Sequence, residues 1–170
     1  LAAVAGVGDA IALLRRAKQA LGDRLVGFEL MSDVALGLSR RHHPGTPDPL
    51  PGHPWYALVQ ADDSADDPSL SDRVEAMLSA AIERGIARDA AVARSGAQAA
   101  SMWGARENIS EGQRREGPNL KHDISLPVSS IPAFLDEARA LLAAAFPGVR
   151  FVVSGPLGDG TLHYTLSAPA

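Results

Sequence analysis

Cysteine is absent from the 170 residues, which removes disulfides, thiolate nucleophiles and thiolate metal sites together. Any metal would have to rest on His, Asp and Glu. His42, His43 and His53 sit in a loop crowded with Pro and Gly, where solvated imidazoles are the ordinary outcome and a metal site is not. No apolar run approaches the roughly 20 residues that a membrane-spanning helix needs. The start does not read as a signal peptide, because Arg15 and Arg16 follow the apolar stretch instead of preceding it. Leu, not Met, stands first, so a segment of a longer protein is expected. Basic clustering is missing too. The formal net charge is −4, and no stretch gathers Lys and Arg with aromatics between them, which argues against nucleic acid as a partner. Lack of thiols does not fix a compartment; the expectation is cytoplasmic.

What is present points to one mixed domain. A chain of this length with 46% hydrophobic and 21% charged residues can bury a real core and falls with soluble globular domains. Asp9 to Gly22 predicts a helix, with Leu13, Leu14, Ala17 and Leu21 at helical spacing and Gly22 as its stop. Arg24 to Met31 predicts a strand, Ser32 to Arg41 a short helix capped by Ser32 or Asp33, and Trp55 to Gln60 a second strand. Asp62 to Asp67 reads as an acidic turn or exposed loop. Ser69 followed by Asp72 resembles a capping box, opening a helix with Val74, Met77, Leu78, Ala81 and Ile82 on one face and Gly85 at its end. Ala90 to Ala93 reads as a brief strand. Gly96 to about Glu116 predicts one longer helix, Leu120 to Leu126 a strand, and Ile131 to Phe146 a helix with Pro132 in its first turn. Val149–Ser154 and Leu162–Leu166 form a hairpin around a Gly-rich turn. Without a regular βαβ rhythm, the expected class is α+β: an antiparallel sheet with helices packed on one face.

The last third holds the residues that could carry chemistry. Arg106 and Ser110 are four positions apart, so they share a helix face. The guanidinium fork suits a carboxylate, and the hydroxyl lies beside it. Lys121 and Asp123 project on one side of a strand, with His122 opposite. If that helix packs over that strand, one wall carries Arg106, Ser110 and Lys121 and attracts a small organic acid. The same residues also read as ordinary surface charges, whose pairs contribute little. The segment Gly155 to His163 allows close backbone approach beside a ligand, and it is also what a hairpin needs. Gly6-Val7-Gly8 has no third glycine and no expected preceding strand, so it is not a dinucleotide loop. Ser154, Asp159 and His163 are the residue types of a hydrolase triad, but no nucleophile elbow surrounds Ser154.

Three blocks, in order, are Met102-Trp103-Gly104-Ala105-Arg106-Glu107-Asn108-Ile109-Ser110-Glu111, Leu120-Lys121-His122-Asp123-Ile124-Ser125-Leu126-Pro127, and Gly155 to Tyr164. Together they resemble the C-terminal domain of FAD-linked oxidases of the vanillyl-alcohol oxidase type, and within it the D-2-hydroxyglutarate, D-lactate and glycolate dehydrogenases. That family shows a Trp-x-x-Arg-Glu helix, a Lys-x-Asp-x-Ser-x-Pro strand and a Gly-His-x-Gly-Asp-Gly-Asn-x-His turn. Phe28-Glu29-Leu30-Met31-Ser32 and the strand after the Pro-rich loop also fit, so the resemblance covers most of the chain.

The resemblance implies a ferredoxin-like substrate domain over residues 1–170, with the FAD-binding domain outside this chain. It implies that Arg106, Ser110 and Lys121 hold the carboxylates of a D-2-hydroxy acid. Oxidation to the 2-oxo acid would pass hydride from C2 to FAD, and electrons would leave to an acceptor protein or quinone. Departures accompany the match. The family's divalent metal is held by two turn histidines and a later glutamate; His163 matches the second histidine, but Pro156 replaces the first and cannot ligate. Thr161 and Thr165 stand where the family has asparagines, and the chain ends before the family's Glu-His-Gly segment, which carries the third ligand and the proposed base. His163 alone is not expected to hold a metal tightly, and the isolated chain is expected to be inactive. Pro156 and Thr161 also favour an alternative: a non-catalytic binding or assembly module that kept the fold and lost the chemistry. A homo-oligomer stays open.

Overall fold

A computed structural model describes residues 1–63 and 69–169; the expected acidic loop lies, from Ser64 onward, outside them. Among the described residues, seven strands form one sheet: β1 (Ala2–Val4), β2 (Leu25–Ser32), β3 (Trp55–Ala61), β4 (Asp89–Ala90), β5 (Asn119–Ser125), β6 (Arg150–Pro156) and β7 (Thr161–Ser167). Their order is β4-β1-β3-β2-β6-β7-β5, and every neighbouring pair is antiparallel. The helices are α1 (Val7–Leu21), α2 (Asp33–His42), α3 (Leu70–Glu83), α4 (Gly96–Glu107), α5 (Ile109–Arg115) and α6 (Ile131–Ala145). Strands β1 to β4 with crossover helices α1 and α3 make the ferredoxin-like half. Helix α2 is inserted between β2 and β3, and β6, β7 and β5 extend the sheet past β2.

The antiparallel α+β class is as expected, with the helical cover extended to a second face. Alternate strand residues divide between two cores. Ala2, Val4, Phe28, Leu30, Ala57, Val153, Leu162, Tyr164 and Leu166 pack with α1, α3 and α6. Ala3, Met31, Tyr56, Leu58 and Val152 pack with α2, α4 and α5 on the other side. Strands buried on both faces read as near-continuous apolar runs, as Phe28 to Met31 and Trp55 to Val59 do apart from Glu29.

Local choices agree with these placements. Buried Ala10, Leu13, Leu14, Ala17 and Leu21 give α1 one apolar stripe, and Gly22, at φ 57°, donates its N–H to Lys18 O. Ser32 ends β2 and caps α2, its Oγ accepting from Ala35 N and from Val153 N, each at 3.2 Å. At Gly160, φ is 72° and an added Cβ would stand 2.2 Å from Leu126 O, so the turn between β6 and β7 admits no side chain there. That turn accepts Leu126 N–H on Gly160 O at 2.9 Å.

Several expectations need correction. The long helix is two helices, because the chain breaks at Asn108 (φ −73°, ψ −5°). The break lets α5 settle on α2, where Gly112 lies so close that a Cβ would meet Leu38 O at 2.8 Å. A strand does precede Gly6-Val7-Gly8; β1 has only three residues, too few for periodicity to reveal. Ser69 does not form a capping box: it is itself helical (φ −79°, ψ −7°), and its Oγ accepts from Arg73 Nε at 3.3 Å. Ile82 is 38% exposed, leaving Met77, Leu78 and Ala81 as the buried face of α3. The brief strand expected at 90–93 is the two-residue β4.

Candidate functional site

The α2/α4/α5 side of the sheet changes chemistry along its width. Cross-strand partners project to one face, so one transverse row runs Ala3–Tyr56–Met31–Ser154–His163–Asp123 over β1, β3, β2, β6, β7 and β5. Its first three members are buried apolar residues. Its last three are polar. The neighbouring rows follow the same trend: Leu58–Glu29–Pro156 on one side and Val152–Thr165–Lys121 on the other. A polar wall therefore occupies the β6–β7–β5 end, beside the segment where α4 gives way to α5.

Four groups on or over this wall have defined surroundings. Arg106, at the end of α4, donates from Nε to Glu29 Oε2 at 2.9 Å, with side-chain exposures of 26% and 10%. Ser110 and Lys121 both line an open concavity of about 780 Å³, together with Glu107, Glu111, Arg114 and Asn119. Within it, Glu111 accepts from Arg114 and Arg115 at 2.8–3.0 Å. Those hydrogen bonds hold the Glu111 carboxyl down at about 2, so it stays ionised and is already neutralised by its own helix. Lys121 has no ion-pair partner among the described residues, which leaves its ammonium available. His163 Nδ1 lies 2.6 Å from Asp123 Oδ1. A carboxylate only accepts, so Nδ1 carries the hydrogen and the Nε2 lone pair is left to the wall in the neutral ring.

The expected trio is thus joined in part. Ser110 and Lys121 share one concavity, whereas Arg106 is not among its lining residues and is paired with Glu29. All three lie over the same face. Of the hydrolase-triad types, His163 pairs with Asp123 and not with Asp159; Ser154 is its neighbour on β6. Two residues escaped sequence reasoning as site members. Glu29 could have been noticed as a lone charge in an apolar strand, and Asp123 as the partner of His163 only once β5 and β7 were known to pair.

Helix α5 is held over the wall by a clasp at its C-terminal end. Glu116 takes Arg41 Nη1 and His42 Nε2 on Oε1 at 2.7 Å and Arg150 Nη1 on Oε2 at 2.6 Å. Hydrogen bonds from Arg150 above all, then His42 and Arg41, lower the Glu116 carboxyl to about 2. One carboxylate therefore ties α5 to the end of α2 and the start of β6.

Comparison with known proteins matches the chain's sequence to a family. The model of the FAD linked oxidases, C-terminal domain, matches residues 1–170. Over 147 residues the chain is 36% identical to a D-2-hydroxyglutarate dehydrogenase of Xanthomonas citri pv. viticola, covering 86% of this chain and 30% of that protein. It is 31% identical over 156 residues to the mitochondrial D-2-hydroxyglutarate dehydrogenase of Arabidopsis thaliana (92% and 27%). It is 32% identical over 148 residues to a D-2-hydroxyglutarate dehydrogenase of Stutzerimonas stutzeri (85% and 31%). The chain spans less than a third of each of these relatives.

Proposed function

The chain belongs to the C-terminal-domain family of FAD-linked oxidases, and from that premise we propose that it is the substrate-side part of a dehydrogenase that oxidises a D-2-hydroxy acid to the 2-oxo acid. The observation that carries this reading is the polar wall, which has a guanidinium over it and an ammonium that has no ion-pair partner among the described residues. Arg106 and Lys121 stand on the same side of the sheet but in separate settings, an arrangement that matches an acid with two carboxylates better than one with a single carboxylate. D-2-hydroxyglutarate, the substrate in the names of the relatives, has that form. Lys121 and the Ser110 hydroxyl would grip one anionic end and Arg106 the other.

Redox chemistry is what FAD supplies when bound, on a domain outside this chain. The residues present here bind the acid, fix its rotation and present C2 for hydride transfer. Electrons then leave to an acceptor protein or a quinone. Of the divalent-metal ligands that the family resemblance implies, this chain carries His163. Pro156 offers no ligand, while His163, with Nδ1–H on Asp123, presents its Nε2 lone pair to the wall, the orientation of a ligating imidazole.

In the full-length flavoprotein, Arg106→Ala should raise KM for D-2-hydroxyglutarate about 10- to 100-fold, the consequence of losing a charge-assisted contact of about 1.5–3 kcal/mol. An unchanged KM would remove Arg106 as an anchor and the reading with it. Pro156 and Thr161 motivate a second reading, a binding or assembly module. It requires that the full-length protein show no flavin spectrum and no turnover of any D-2-hydroxy acid.

A further inference from the structure

We infer that Glu29 is a positioning residue, which holds Arg106 by Nε and thereby aims its two terminal nitrogens at the substrate carboxylate; the inference rests on the function proposed above. Glu29 is the one charged residue of β2, and its side chain is only 10% exposed. A carboxylate so placed is costly unless paired, and its partner is Arg106 Nε at 2.9 Å. Guanidinium donors lie in one plane, one on Nε and two on each terminal nitrogen. With Nε committed to Glu29, the edge formed by Nη1 and Nη2 remains as a fork for an incoming carboxylate, its direction set by the protein before substrate arrives.

A second contact fixes the same helix. Trp103 lies three residues before Arg106 on α4, and Gly27 lies two before Glu29 on β2. An added Cβ at Gly27 would stand 3.3 Å from Trp103 Cζ2, so the indole is seated directly against that backbone. A pair spaced by three on the helix thus meets a pair spaced by two on the strand, which sets both the rotation of α4 and its position along β2. The strand has a bulge between Leu25 and Gly27. It puts Gly27 and Glu29 on the α4 side while Leu25 packs with the α1 core. Without it, strict alternation would place Leu25 on the α4 side.

Kinetics of the full-length flavoprotein with D-2-hydroxyglutarate test this. Glu29→Ala should raise KM about 10-fold and change kcat less than about 3-fold, since orientation of a binding group is lost and chemistry is untouched. Glu29→Gln keeps a carbonyl oxygen that accepts from Nε, and should stay within about 3-fold of the parent KM. In an Arg106→Ala background, Glu29→Ala should add less than about 2-fold, because its effect passes through the missing guanidinium. A full additional 10-fold there, or no change of KM in the Arg106 parent, overturns the inference. If Glu29→Ala does not fold, Glu29→Asp takes its place: the charge stays, the arm shortens, and an unchanged KM is the overturning result. An Arg106→Ala variant with parental KM would instead sink the proposed function, so the two failures are separable.

Discussion

At the β6–β7–β5 end, the same strands build a packed apolar core on one face and a polar wall on the other. Leu162, Tyr164 and Leu166 of β7 are buried among α6 and the neighbouring strands. His163, between them, turns to the wall with a side-chain exposure of 44%. A single residue step thus separates a side chain that stabilises the fold from one available to a ligand. The lesson is that this end of the sheet is a one-sided core, and that stability and function here can be altered separately by alternating along one strand.

Four substitutions can break or sharpen that contrast. The largest effect is expected at Leu162, which is fully buried. Leu162→Ala should cost about 2–5 kcal/mol in chemical denaturation, through lost burial and a residual cavity, whereas His163→Ala should stay within about 0.5 kcal/mol, as a substitution at a partly open polar site. Equal losses at the two positions would dissolve the distinction between the faces. Next comes Gly112→Ala, on the wall side but at a place with no room. With Leu38 O only 2.8 Å from the new Cβ, α5 must shift off α2, at a cost of about 1–3 kcal/mol. Because α5 carries Ser110, the same variant should weaken substrate binding, a link that Leu162→Ala lacks when assayed well below its melting point.

The smallest effect is pH-dependent. Glu116 has its carboxyl lowered from 4.5 to about 2 by Arg150, His42 and Arg41. A lowered folded value means that the unfolded chain binds its proton first as pH falls, so the clasp's contribution is complete above about 4.5 and is lost as the pH drops towards 2. Glu116→Gln should therefore reduce stability at neutral pH and flatten the acid limb of the stability profile between those values. A parental acid limb in that variant would show that the clasp does not tie α5 down.

Much of this was legible before any coordinates. The stripe Leu13, Leu14, Ala17 and Leu21 predicts α1 because helical periodicity is a property of adjacent residues. A cap at Ser32 or Asp33 and a Gly-rich turn before Leu162 follow from local chemistry for the same reason, whereas the contact with Leu126 O that bars a side chain at Gly160 is tertiary. The three motif blocks likewise carry Arg106, Ser110 and Lys121 as candidates, since each block is contiguous. Less visible was the break at Asn108, because an Asn suits a helix end but is also tolerated inside one. It exists because α5 must lie against α2 at Gly112.

What the sequence determined by itself is the set of elements, their apolar faces, and the identity of the polar groups that gather late in the chain. Only the tertiary structure decided which of those groups meet: Glu29 with Arg106 across 77 residues, and Asp123 with His163 across 40. The reason is that a side chain's face is set by period, over a few residues, whereas its partner is set by strand order and register. Those depend on how the strands are divided between two cores, a choice no single segment can make.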